Sequence, residues 1–181
     1  MLLHKAIEFA AVKHRNQYRK GTDVPYIVHP MEVLQILTTM GCSIETQIAG
    51  VLHDTVEDTD TAIEDIETLF GSDVAELVKS DTEDKSLSWT ERKEKALSEL
   101  KTHSRSARQL LLADKLSNIK SVYADLRVVG ANVWSRFKGS PSQTEWYYRE
   151  IIAELSKDMQ GENAFEELKT YVNLVFAEKF D

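Results

Sequence analysis

The chain has 181 residues, of which 42% are hydrophobic, so it is the size of one domain and able to bury a sizeable core. A formal net charge of -8 excludes non-specific attraction to nucleic acid or to an anionic membrane, and a single cysteine, Cys42, excludes an internal disulfide and a thiolate metal cluster. No apolar run is long enough to span a bilayer, and Met1-Leu2-Leu3-His4-Lys5 lacks the features of a signal peptide, so a cytoplasmic location is expected.

Apolar periodicity predicts helices nearly throughout and no strand, an all-α fold. The first helix covers about residues 2–16, with Leu3, Ile7, Ala10 and Ala11 inward, and the polar segment 17–28 follows as a long loop. Pro30 opens the second helix, where the missing N–H costs nothing, and Val33, Leu34, Ile36 and Leu37 continue its apolar face as far as Gly41. A third helix is expected over residues 44–58 without interruption. Thr61-Ala62-Ile63-Glu64 reads as a capping box, Gly71 as a stop, and residues 73–79 as a short helix. Ser88-Trp89-Thr90-Glu91 caps a helix to about Lys101, and a longer one runs from near Arg105 to Gly130. Ser140-Pro141 starts the next, and Asn163-Ala164-Phe165-Glu166 caps a last one rich in Leu168, Val172, Val175 and Phe176. No repeat or interdomain linker is visible, so residues 1–181 are expected to form a single domain, with 81–88 and 130–140 its mobile segments.

One cluster stands out from this frame. In Leu52-His53-Asp54-Thr55-Val56-Glu57-Asp58, a continuous helix places His53/Glu57 and Asp54/Asp58 as i,i+4 pairs, with three carboxylates near a helix C-terminus where the macrodipole disfavours negative charge. A bound cation relieves that conflict; the alternative is a solvated acidic helix end. His29 sits at a helix start beside Pro30, and Asp114 interrupts the apolar stretch Leu110-Leu111-Leu112-Ala113-Asp114-Lys115-Leu116, where a buried carboxylate needs pairing or a metal. A salt bridge to Lys115 is the alternative for Asp114, and a backbone hydrogen bond at the helix start is the alternative for His29. Imidazole and carboxylate together suit a divalent ion with positions left open for water and substrate.

The order His29, His53-Asp54, Asp114 resembles the HD superfamily of metal-dependent phosphohydrolases, a helical bundle. Four longer segments are similar to the hydrolase domain of RelA/SpoT homologues: His14-Arg15-Asn16-Gln17-Tyr18-Arg19-Lys20-Gly21, Pro25-Tyr26-Ile27-Val28-His29-Pro30, Leu52-His53-Asp54-Thr55-Val56-Glu57-Asp58-Thr59 and Leu112-Ala113-Asp114-Lys115-Leu116-Ser117-Asn118. The resemblance implies a stand-alone small alarmone hydrolase without a synthetase domain, which splits (p)ppGpp into GDP or GTP plus pyrophosphate. It implies Mn²⁺ on His29, His53, Asp54 and Asp114, with Glu57 and Asp58 as the acid-base pair. Arg19, Lys20, Asn118 and Tyr147 are then the positions expected to contact a small-molecule nucleotide, while Lys120 stands where many relatives carry arginine. Two other readings compete: an HD phosphohydrolase acting on a related nucleotide, such as an NADPH 2′-phosphatase, and a non-catalytic helical binding module.

Overall fold

A computed structural model describes residues 2–177. Among the described residues there is no strand, only an isolated antiparallel bridge between Tyr18 and Pro25, so the all-α expectation is borne out. The elements run α1 (Leu2–Lys13), α2 (Val28–Thr39), α3 (Ile44–Leu52), α4 (Thr55–Asp58), α5 (Ile63–Phe70), α6 (Ser72–Asp81), α7 (Trp89–Leu100), α8 (Arg105–Val129), a 3₁₀ segment (Gly130–Arg136), α9 (Pro141–Leu155) and α10 (Asn163–Ala177). The described residues fall into two compact units, one drawn from Met1–Glu83 with His103–Ala113 and the other from Asp84–Thr102 with Asp114–Asp181.

In the first unit, α3 packs against α1, α2 and α6, and α5 against α6. Ile48, Ala49, Val51 and Leu52 of α3 are buried, as are Val33 and Leu37 of α2. On α1 the inward face is centred on Ala6 and Ala10, while Ala11 is exposed; the face lies about one residue away from where the apolar pattern puts it. Phe9 on the same helix meets Phe70 edge-on at 5.7 Å. Gly71, with φ at +95°, ends α5 and begins α6 in a conformation that side chains with a Cβ rarely adopt.

The structure departs from the expected single helix over residues 44–58. α3 stops at Leu52, His53 and Asp54 form a turn, and α4 is one turn long. Side chains compete there for the carbonyls that would carry the helix onward. The Thr55 hydroxyl donates to the Leu52 carbonyl at 2.6 Å, and His53 Nδ1 lies 2.8 Å from the Gly50 carbonyl. The capping box expected at Thr61-Ala62-Ile63-Glu64 is displaced as well: Ala62 precedes α5, and its N–H donates to Asp65 Oδ2 at 3.0 Å, while Thr61 pairs with Thr59.

In the second unit, α9 packs against α10 and α7. Ser88 accepts from the Glu91 N–H, and Glu91 reciprocates to the Ser88 N–H, the capping box read from the sequence. Ser140 and Gln143 do the same ahead of Pro141. The 3₁₀ segment replaces part of an expected loop; it is tied by Arg136 to Asp125 at 2.7 Å and by Trp134 stacked on Phe176 at 5.5 Å. Leu168, Val172 and Val175 carry the buried face of α10, as their spacing requires.

Gly50 lies on the face of α3 that packs against Leu37 and Val33 of α2. A Cβ there would clash with Leu37 Cδ1 and come within 3.2 Å of Val33 Cγ1, both fully buried side chains. Gly50→Ala is therefore expected to destabilise the fold by about 1–3 kcal/mol, read as a lowered midpoint in urea denaturation.

Candidate active site

The turn between α3 and α4 brings a cluster together within the first unit. His29, from the first turn of α2, and His53 are 2% and 1% exposed. Their Nε2 atoms lie 3.2 Å apart, and Asp54 Oδ2 is 3.4 Å from the first and 3.0 Å from the second. The Gly50 carbonyl can only accept, so His53 Nδ1 carries a proton toward it and the Nε2 side of the ring faces His29 and Asp54. Two buried imidazole nitrogens and a partly exposed carboxylate oxygen thus converge, a mix of nitrogen and oxygen donors of the kind that suits a borderline or hard divalent ion. Burial works against the charge on Asp54, yet the imidazoles of His53 and His29 outweigh it and hold its carboxyl well below the usual carboxylate range.

Asp58 follows Asp54 by one turn, its N–H donating to the Asp54 carbonyl at 2.9 Å. Glu57 turns toward the segment after α6, where Oε2 accepts from the Glu83 N–H at 3.2 Å. Burial pushes its carboxyl up, and the charges of Asp54, Asp58 and Glu83 push the same way against that hydrogen bond. Asp58 Oδ2 faces the Tyr26 hydroxyl at 3.4 Å, while the same hydroxyl donates to Asp54 Oδ2 at 2.7 Å. Burial first and Asp54 second drive the Tyr26 phenol far above its ordinary value, so it remains a donor. Beneath it, Gln17 Nε2 donates to the Asp58 carbonyl at 2.6 Å, which leaves Gln17 Oε1 to accept from His14 Nδ1, also at 2.6 Å.

The chain matches the HD domain over residues 6–136. It belongs to the HD domain family. A zebrafish (Danio rerio) relative named guanosine-3′,5′-bis(diphosphate) 3′-pyrophosphohydrolase MESH1 is 39% identical over 166 residues, which is 90% of this chain and 87% of the relative. A crystal structure of a Listeria monocytogenes protein superposes with a TM-score of 0.76 at 37% identity, covering 83% of this chain and 99% of that one. A metazoan SpoT orthologue, described as hydrolysing ppGpp, gives a TM-score of 0.75 at 31% identity over 94% of this chain and 93% of its own. The resemblance carried by the four sequence segments is thus borne out.

The other expected residues of this HD domain are distributed over both units. In the first, Arg19 lies with its guanidinium carbon 5.7 Å from the Tyr26 ring, and Lys20 is exposed. In the second, Asp114 is 4% exposed and bonded to two neighbours on its own helix: Lys115 and, at 2.6 Å, the Asn118 amide. The salt bridge to Lys115 weighed for it from the sequence is present. Tyr147 is 5% exposed, its ring 6.5 Å from Trp89 and 6.3 Å from Tyr148, with the Lys93 ammonium 4.8 Å over its face. Lys120 pairs with Glu167 at 2.8 Å. Sequence reasoning assigned no role to Tyr26, Gln17 or His14, although all three lie inside the segments that carry the family resemblance; the available signal was an aromatic three residues before His29 in an otherwise polar loop.

The Gln17 side chain serves two partners at once, His14 and the Asp58 carbonyl. Gln17→Leu strands the His14 Nδ1–H and removes the donor to the Asp58 carbonyl, and it is expected to cost about 1–3 kcal/mol in chemical denaturation.

Proposed function

We propose that this HD-domain protein is a metal-dependent (p)ppGpp 3′-pyrophosphohydrolase. The observation that carries the reading is the cluster of buried His29 and His53 with Asp54, its three nitrogen and oxygen atoms within 3.4 Å of one another, in a chain whose MESH1 relative bears that activity in its name. In the reaction a water oxygen bonds to the phosphorus attached at the ribose 3′ position, the bond from that phosphorus to the 3′-oxygen breaks, and the 3′-oxygen takes up a proton. The products are GDP or GTP and pyrophosphate.

His29, His53 and Asp54 would hold a divalent ion, Mn²⁺ in this reading, to which the family's motif order adds Asp114; when bound, it would supply Lewis acidity toward the phosphoryl oxygens and the attacking water. The fixed Nδ1–H of His53 keeps its Nε2 available as a ligand without a change of tautomer. Glu57 and Asp58 handle the protons, one taking a proton from water and one delivering it to the departing 3′-oxygen. Glu57 is suited to this by its raised proton affinity, since general acid-base groups work best with a pKa near the working pH. Arg19 offers a planar fork for phosphate or a face for the base, and Lys20 a point charge; Asn118 and Tyr147 complete the set of nucleotide contacts. Substrate and enzyme meet in the cytoplasm, and no helix among the described residues is long and apolar enough to cross a membrane.

Product analysis tests the activity directly. Purified protein with Mn²⁺ and ppGpp is expected to release pyrophosphate and GDP; orthophosphate alone, or no turnover at high enzyme concentration, would sink the reading. Asp54→Ala is expected to lose bound metal and turnover together, whereas Glu57→Gln retains the metal and loses about 10²-fold or more in kcat. The pH profile supplies the sign. If Glu57 must be ionised to accept the proton, kcat rises with pH through its raised pKa, moving the acidic limb upward from the ordinary value of a glutamate, and Glu57→Gln abolishes that limb.

A further inference from the structure

Tyr26 occupies a position that the reaction above does not use. Its hydroxyl donates to Asp54 Oδ2 at 2.7 Å, and that oxygen is the one facing His53 Nε2 at 3.0 Å and His29 Nε2 at 3.4 Å. A phenol has one proton to give, and the shorter contact takes it; Asp58 Oδ2 stands farther off at 3.4 Å. The ring is itself held on several sides. His14 lies against it at 4.9 Å and 32°, the His29 ring meets it edge-on at 6.0 Å, and the Arg19 guanidinium carbon is 5.7 Å from its centre. The backbone is fixed as well, because the Tyr26 N–H donates to the Gln17 carbonyl at 2.9 Å while the Gln17 side chain reaches the Asp58 carbonyl. A carboxylate rotates about its terminal torsion with little preference, so a ligand aspartate without a second partner presents its oxygens to an ion in many orientations.

We propose that Tyr26 is a positioning residue, whose phenol locks the Asp54 carboxylate in the orientation that presents Oδ2 to the metal. The proposal rests on the metal site proposed above. Partners of this kind typically contribute 10–100-fold to metal affinity. Tyr26→Phe removes the hydroxyl and leaves the ring contacts in place.

The test compares chelator-treated wild type with Tyr26→Phe by calorimetric titration with Mn²⁺, alongside thermal melting of both metal-free proteins. The expected result is a dissociation constant for Mn²⁺ about 10–100-fold higher in the variant, similar metal-free melting, and a kcat on ppGpp restored to within about threefold by excess Mn²⁺ with KM unchanged. A role confined to holding the fold would lower the metal-free melting temperature and leave the Mn²⁺ constant alone. Equal affinity in the two proteins overturns the proposal, as does a kcat deficit that excess metal fails to restore or a variant that does not fold. Wild type that takes up no Mn²⁺ instead brings down the metal site itself, and this inference with it.

Discussion

Placing two imidazoles and a carboxylate side by side in a nearly dry spot is the constraint around which the first unit is organised. An aspartate there is stable as an anion only because His29 and His53 stand against it and Tyr26 donates to it. Each of those partners arrives from a different piece of chain: the loop after α1, the start of α2, and the turn closing α3. Packing of α3 against α1, α2 and α6 therefore has a chemical as well as a hydrophobic purpose, since it fixes the origin of the turn on which the cluster is assembled.

Much of the fold was legible because it depends on patterns that sequence displays directly. Apolar period located the helices, Ser88 and Ser140 with their partners three residues on marked two starts, and Asp114 among leucines is buried, as its surroundings required. The break at His53-Asp54 was hidden for a physical reason. Periodicity registers which face a residue occupies, and that scarcely changes across a turn whose backbone stays near helical dihedrals; what changes is who receives the carbonyls of Gly50 and Leu52. The capping box before α5 slipped by one residue for a similar reason, because Asp65 provides the side-chain acceptor there and the Thr61 hydroxyl pairs with that of Thr59, two residues before it.

Tyr26 illustrates a different kind of illegibility. In sequence it is an aromatic within a polar loop, flanked by a proline and separated from Asp54 by almost thirty positions, and its value lies wholly in a hydrogen bond made after folding. Family resemblance names the side chains that act on substrate more readily than those that orient them. A tyrosine of this kind becomes visible only when each lone pair of the acid it serves is traced to its donor.

The bridge between Tyr18 and Pro25 bears on the basic residues it encloses. Arg19 and Lys20 lie in a loop whose two limbs are joined at that bridge and by the Arg19 N–H to the Val24 carbonyl at 2.9 Å, and Gln17 anchors the loop to α4. Backbone freedom of the loop that carries them is surrendered during folding rather than at the moment an anion arrives. On the proposed reading, in which these cations meet the nucleotide's phosphates, affinity would be drawn partly from the stability of the fold, and loosening the base of the loop would weaken capture even with both cations in place.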